Sequence, residues 1–316
     1  MDTHPVKLKV QSVTAETPTI RSLVFGVEEG AVPRWQAGAH IRVSLPSGGD
    51  RPYSLMALPG LPEGVLALGV LREQMSAGGS AFMHALKIGD VVTASVPVNN
   101  FRLHQDASPA LLFAGGIGIT PILSMAAELA ARGVVYRLHY AGRSPGLLAF
   151  LPQLQAICAN SLLVHYDCDA SCLDIAAALD RSPAQSHVYA CGPAGMIEAV
   201  KSAALAKGIA ADRIHYELFK TELPSTSNQP FEVELRSTGQ VIRVAANQSI
   251  IEALEAAGLE VLYDCRRGDC GICQCSVIAG IPDHRDVILS DDEKASNKVM
   301  QICVSRAKSE RLVLDL

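Results

Sequence analysis

What this chain of 316 residues lacks narrows its class first. It has no basic excess: 27 Lys/Arg stand against 32 Asp/Glu, a formal net charge of −5, which removes the electrostatic footprint of a nucleic-acid binder. The opening, Met1 to Lys7, has neither a basic start nor an apolar stretch, so a secretory leader is not expected and a cytoplasmic setting is. No long apolar run goes unbroken. Ala107 to Ala127 carries no charge, but Gly115, Gly116, Gly118 and Pro121 interrupt it, and it reads as a buried strand, a glycine loop and a helix, not a membrane span. No internal repeat is present. Apolar material is not scarce: 49% of residues are hydrophobic and 19% charged, enough for several cores and unlike a disordered chain.

What is present begins with nine cysteines, which in a cytoplasmic chain point to metal or redox chemistry and not to a disulfide framework. The acid excess is uneven: residues 231–316 hold 14 Asp/Glu against 10 Lys/Arg. It reads as a solvated surface, with steering toward a basic partner as the alternative.

Three blocks follow one another. Residues 1–105 contain alternating stretches, Lys7–Val13, Ile41–Leu45 and Leu66–Leu71, separated by Pro/Gly turns, with Lys87–Asp90 at the end of a short helix. Many short strands predict a small antiparallel barrel. Residues 106–224 alternate strand and helix: strand Ala110–Phe113, helix Pro121–Arg132 with Thr120 as N-cap and Gly133 as stop, strands Val134–Tyr140, Leu162–Tyr166 and Val188–Ala190, then helix Gly195–Lys207. That alternation predicts a parallel, doubly wound α/β sheet. Leu223–Pro230 has the composition of a linker. Residues 225–316 open with a hairpin, Phe231–Arg236 and Val241–Val244 around Gly239, followed by helix Ile250–Ala257, which a Ser249/Glu252 capping box starts and Gly258 stops.

Cys265, Cys270 and Cys273 have C-x4-C-x2-C spacing, and Cys303 follows 29 intervening residues later. This is the plant-type [2Fe–2S] pattern. Two irons require four thiolates, and Gly268 and Gly271 permit the tight loop that brings backbone N–H groups near sulfur. A zinc site favours paired C-x2-C knuckles, and only one is present here. Cys275 is expected in a strand leaving the loop, as a buried small hydrophobe. Arg266, Arg267 and Asp269 decorate the loop as a solvated rim or a partner contact.

Leu111 to Pro121 runs from strand through Gly115, Gly116 and Gly118 to a helix. Its glycines admit a pyrophosphate, and the helix start offers free N–H groups to it. The third glycine of G-x-G-x-x-G is missing, since Pro121 stands there. A second turn, Cys191-Gly192-Pro193, follows a strand of the same block. Cys191 lies against a nicotinamide ring or is a structural cysteine; Arg143 is placed to meet the adenosine ribose or its phosphate, which does not decide NADH against NADPH. In the first block, Arg51-Pro52-Tyr53-Ser54-Leu55 offers a cation for phosphate, an aromatic ring for stacking and a hydroxyl for a flavin nitrogen. Gly78-Gly79-Ser80 is a second anion cradle.

In this order the motifs resemble the phthalate dioxygenase reductase family, the reductases of two-component Rieske oxygenases; vanillate demethylase and carnitine monooxygenase reductases are similar. The resemblance covers essentially the whole chain, including Tyr216-Glu217-Leu218-Phe219 and the stretch from His284-Arg285-Asp286 to Leu316. It implies an FMN-binding barrel over 1–105, an NADH-binding α/β domain over 106–224 and an α+β, β-grasp-like ferredoxin domain over 225–316. It implies FMN, with FAD less favoured, held by Arg51, Tyr53, Ser54, Leu55, Gly78, Gly79 and Ser80 with Arg72 as a helper. NADH is expected at Gly115, Gly116, Gly118, Thr120, Pro121, Arg143, Cys191, Gly192 and Pro193, and Phe219 near flavin or nicotinamide. Many relatives carry arginine just before Gly-Gly-Ser where this chain has Ala77, which predicts weaker FMN binding.

The implied activity is electron transfer from NADH through FMN and the cluster to a Rieske-type terminal oxygenase. A monomer without nucleic-acid or membrane partners is expected. No catalytic side chain is certain, Cys191 being the candidate beside the nicotinamide. One alternative is a reductase for another acceptor, such as a diiron monooxygenase, with FAD. An alternative of a different class is a non-catalytic iron–sulfur redox sensor.

Overall fold

The computed structural model describes residues 5–28, 30, 32–73, 78–219, 228–268 and 270–316. The chain divides into two compact units, Met1–Glu217 and Leu218–Leu316.

The first unit opens with six antiparallel strands, β1 (Val6–Ala15), β2 (Ile20–Val27), β3 (His40–Ser44), β4 (Asp50–Ser54), β5 (Val65–Leu71) and β6 (Val91–Ala94), in the order β4-β3-β6-β1-β2-β5. The outer strands meet: Leu55 bridges Leu68, and the Met56 amide donates to the Ala67 carbonyl at 2.9 Å. The sheet is thereby curled toward a barrel, which satisfies edge groups that would otherwise face water. Alternate side chains point inward. Leu8, Leu23, Phe25, Ile41, Leu66 and Leu68 fill the interior at 0% exposure. Helix α1 (Gly79–Ala85) adds Met83 to this core. It ends before Lys87–Asp90, which forms a turn and not the end of a helix.

The second sheet of this unit is wholly parallel: β7 (Ala110–Gly115), β8 (Tyr136–Gly142), β9 (Leu162–Tyr166), β10 (His187–Cys191) and β11 (Ile214–Glu217), in the order β11-β10-β7-β8-β9. Helices α2 (Ile119–Ala131), α3 (Leu151–Cys158), α4 (Ile175–Asp180) and α5 (Ala194–Ala206) make the crossovers, α2 packing with α3 and α4 with α5. The chain runs outward from β7 to β9 and then returns to β10 on the other side of β7. Strand order therefore reverses between β7 and β10, the point at which such sheets bind ligands. The expected doubly wound sheet is present.

Two local expectations change. Thr120 is not the N-cap of α2. A 3-10 turn over Gly116–Gly118 runs straight into the helix, so Gly118 caps it and the Thr120 hydroxyl donates back to the Ile117 carbonyl at 3.1 Å. Helices α3 and α4 had no clear signal in the sequence: they are eight and six residues long, too short for helical periodicity to stand out.

The second unit is a five-stranded sheet of β12 (Phe231–Leu235), β13 (Val241–Val244), β14 (Gln274–Ala279), β16 (Val299–Gln301) and β18 (Arg311–Leu314), in the order β13-β12-β18-β14-β16. A short ladder pairs β15 (Pro282–Asp283) with β17 (Arg306–Ala307). Helix α6 (Ile250–Ala256) carries the predicted capping box and packs Ile250, Ile251 and Leu254 on the sheet; α7 (Asp291–Ser296) has a second box from Ser290 and Glu293. One helix across a mixed sheet is the expected α+β, β-grasp-like arrangement. The proposed linker falls largely on residues 220–227, outside the described residues, as does Ala77.

Candidate functional site

The cysteine loop lies between α6 and β14. Arg266, Gly268 and Gly271 all take left-handed backbone conformations, with φ of 52°, 77° and 76°, and so coil the loop back on itself. Gly268 is required twice over. A Cβ there would also stand 2.6 Å from Val304 Cγ2 and 3.0 Å from Asp286 Cα. This coil brings the four predicted thiols together. Cys265 lies within hydrogen-bond reach of Cys270 and Cys303, and Cys303 of Cys273. Cys265, Cys273 and Cys303 are buried, and Cys270 is half-buried.

Backbone N–H groups point at the sulfurs: Arg267 donates to Cys265 Sγ at 3.2 Å, Ile272 N–H faces Cys270, and Cys303 N–H faces Cys273. The thiol contacts divide the protons unevenly. Contact with Cys265, then with Cys273, and then burial push the Cys303 thiol up. Contact with Cys265 followed by burial does the same to Cys270, while the thiol of Cys303 donating to Cys273 pulls that group down. Four thiolates packed so closely repel one another unless cations lie among them, so the donor set fits an iron–sulfur cluster. Cys275 stands apart. It belongs to β14 and the sheet core, and burial pushes its thiol up to about 12.

Asp286 supports the loop from behind, a role not apparent from sequence. It is 3% exposed; its carboxylate accepts the Leu289 amide at 2.9 Å and the Ser305 hydroxyl at 3.4 Å, and the following residue, Val287, donates to the Gly268 carbonyl. Arg267 is not on a solvated rim. It is 8% exposed, with its guanidinium 5.9 Å from the Phe219 ring. Arg266 lies over Tyr263 and pairs with Glu255 at 2.7 Å. Asp269 is outside the described residues.

In the first unit, the two predicted turns sit side by side at the carboxyl ends of β7 and β10. Their fit depends on glycine. A Cβ on Gly118 would lie 2.1 Å from the Cys191 carbonyl oxygen, one on Gly115 2.6 Å from Pro193 Cδ, and one on Gly192 2.8 Å from Met196 Cε. Gly116, at φ 53°, faces open space instead and leaves backbone accessible to a ligand. Pro193 and Arg143 are exposed. Thr120 and Cys191 are not: they are 1% and 0% exposed, so they line the floor under this surface. Pro121 is buried in the first turn of α2.

The flavin motif is also assembled. A Cβ on Gly79 would meet Arg51 Cγ at 2.7 Å and Tyr53 Oη at 3.4 Å, so β4 and the start of α1 share one surface. Gly78, at φ 98°, makes the turn into α1, and the Ser80 hydroxyl accepts the Glu73 amide at 3.1 Å. Burial pushes the Tyr53 hydroxyl up to about 12, partly opposed by the neighbouring Arg51 charge, so Tyr53 stays neutral and able to donate. Ser54 and Leu55 are buried at 5% and 0%, and Arg72 is exposed.

Two contacts that the sequence analysis missed tie these sites together. Ser124 on α2 donates to the Leu55 carbonyl and accepts from the Ala57 amide, both at 2.9 Å. Gly69 on β5 leaves room for the Thr120 methyl and the Phe150 ring, each within 3.1 Å of where its Cβ would be. A lone glycine inside a strand was the available signal for that close approach.

Comparison with known proteins agrees with this geometry. Residues 233–308 match the 2Fe-2S iron-sulfur cluster binding domain family. The vanillate O-demethylase oxidoreductase of a Pseudomonas species is 44% identical over 98% of this chain and 100% of its own. This chain belongs to that reductase family. The solved structure of phthalate dioxygenase reductase, described as a modular structure for electron transfer from pyridine nucleotides to [2Fe-2S], superposes over 99% of this chain and 98% of that one, with a TM-score of 0.79 and 35% identity. The beta subunit of a heme-dependent oxidative N-demethylase from Ectopseudomonas mendocina is 38% identical over 98% of both chains. Like its relatives, this member of the oxygenase-reductase family is an oxidoreductase with an iron–sulfur domain. Among its described residues no helix is long and apolar enough to cross a membrane.

Proposed function

We propose that this reductase takes electrons from NADH through FMN and a [2Fe–2S] cluster to a Rieske-type terminal oxygenase, acting as a cytoplasmic monomer. The observation that carries the reading is the convergence of Cys265, Cys270, Cys273 and Cys303 in a chain whose other unit presents a glycine-lined turn at a strand-order reversal. When bound, the flavin takes an electron pair as hydride from the nicotinamide and the cluster carries single electrons.

The chain's own residues bind and orient. Arg51 supplies the charge opposite a phosphate, and Ser80 with Gly78 and Gly79 supplies the cradle around it. The choice of FMN over FAD rests on the resemblance to the phthalate dioxygenase reductase family. Tyr53 remains protonated beside it, and Ser54 offers a hydroxyl. Gly116 exposes backbone to the pyrophosphate of NADH; Gly115, Gly118 and Gly192 let the two turns close beneath it, with Pro193 and Arg143 at the rim. The N–H groups of Arg267, Ile272 and Cys303 stabilise charge on sulfur. The division into 1–105, 106–224 and 225–316, and the place of Phe219 beside flavin or nicotinamide, belong to the same reading.

The test has two parts. Flavin released from the purified chain is identified, with FMN expected. NADH-driven electron transfer is then measured to a Rieske oxygenase component and to a heme-dependent N-demethylase component. Cys270→Ser, with flavin retained, is expected to lose transfer to the Rieske partner. Wild-type transfer by that variant, or transfer to the heme partner alone, overturns the proposal.

A further inference from the structure

We propose a divalent-cation site in the first unit, built from His104, Asp106 and His187, that fastens the segment leading into β7 to the start of β10. It is independent of the nucleotide and cluster sites. His187 begins β10, whereas the nucleotide turn follows its other end, and His104 and Asp106 belong to the segment leading into β7.

The three side chains offer two imidazole nitrogens and a carboxylate, with one ligand atom from each lying within 4.8 Å of the others. His187 Nε2 is 3.6 Å from Asp106 Oδ2, and His104 Nε2 is 4.0 Å from Asp106 Oδ1. A tetrahedral ion with bonds of ~2.0–2.1 Å holds its donors about 3.3 Å apart, so the three side chains must draw together to bind one. His187 is 8% exposed, and its Nε2 faces the Asp106 carboxylate at 3.6 Å, longer than a normal hydrogen bond. A cation seated between the two satisfies both groups.

The outer nitrogens have partners: His187 Nδ1 lies 3.0 Å from His215 Nε2, and His104 Nδ1 lies 3.1 Å from Tyr189 Oη. His104 Nε2–H donates to the Ser108 carbonyl, so binding a cation there moves its proton to Nδ1, which then donates to Tyr189. Arg132 fixes the connector backbone by donating to the His104 and Asp106 carbonyls, both at 2.8 Å. Two movements close the site. The His104 and His187 rings, stacked with centroids 4.2 Å apart, tilt toward a common point, and His104 Nε2 gives up its 2.9 Å contact with the Ser108 carbonyl. Asp106, 57% exposed on its side chain, provides the remaining travel. Two imidazoles and one carboxylate suit zinc among the available divalent ions, with water completing the shell.

The test uses the flavin- and iron-loaded chain with Cys168→Ser and Cys172→Ser, because those exposed thiols would otherwise bind zinc themselves. After exposure to Zn²⁺ and exhaustive dialysis, zinc and iron are counted and thermal unfolding is followed. The parent is expected to retain one zinc per chain and to unfold several degrees higher than without it, as a ligand of the native state requires. Asp106→Ala and His187→Gln are expected to lose that zinc and the shift, with iron unchanged. Asp106 is exposed, so its variant tests the site without threatening the fold. No retained zinc in the parent, or equal zinc in parent and Asp106→Ala, overturns the proposal.

Discussion

At the scale of single residues, glycine and histidine carry the sharpest consequences. Gly118 touches the Cys191 carbonyl so closely that one added carbon, at 2.1 Å, has nowhere to go. Gly118→Ala must push the two nucleotide turns apart. It is expected to cost about 1–3 kcal/mol of stability and to abolish NADH oxidation while flavin stays bound, as read by thermal melts and an artificial acceptor. His139 gives a pH prediction. Burial, reinforced by His165, Arg137 and Arg181, lowers its imidazole from 6.5 to about 4. In the unfolded chain it takes up a proton near its ordinary value. Between the two values the unfolded state therefore binds more protons, and stability rises with pH. That stability is complete above about 6.5 and declines as pH falls toward about 4. Melting at pH 7 and pH 5 should show the decline, and His139→Gln should reduce it, the remainder coming from His215, which burial also lowers to about 4.

At the scale of elements, the cluster loop depends on what lies behind it. Asp286 accepts from Leu289 and Ser305 while fully enclosed. Asp286→Ala leaves those donors unsatisfied, at about 1–3 kcal/mol each. The variant should purify with less iron per chain than wild type; full iron content would show that the glycine turns alone shape the loop. Helix α6 was legible because a capping box is a local pattern, with Ser249 and Glu252 three residues apart. The start of α2 was misplaced because nothing local announces that a 3-10 turn will merge with the helix after it. Arg267 looked like a surface residue because charge usually implies exposure; only the folded loop reveals that it is buried.

At the scale of the molecule, two units with their own cores predict two unfolding transitions. Iron belongs to one of them. Removing it by acid or chelation leaves four crowded thiols without their cations, so the transition of residues 218–316 should fall while that of residues 1–217 stays in place. Calorimetry of the iron-loaded and iron-free chains reads this directly, and a joint fall of both transitions would count against independent units.

The sequence by itself pointed to Cys265, Cys270 and Cys273, because C-x4-C-x2-C is a chain-local pattern; the fold brings Cys303, 29 intervening residues further on, up to them. It also announced the strand–helix alternation behind the parallel sheet of residues 110–217, and the family to which the chain belongs. Tertiary structure alone decided which turns meet. That the Gly115–Gly118 loop nests against Gly192 follows from β7 and β10 becoming neighbours, although more than 70 residues separate them. The support from Asp286, the Ser124 tie and the convergence of His104, Asp106 and His187 have the same origin. Each joins residues distant along the chain, and their proximity comes from the packing of whole sheets and not from any pattern a local window contains.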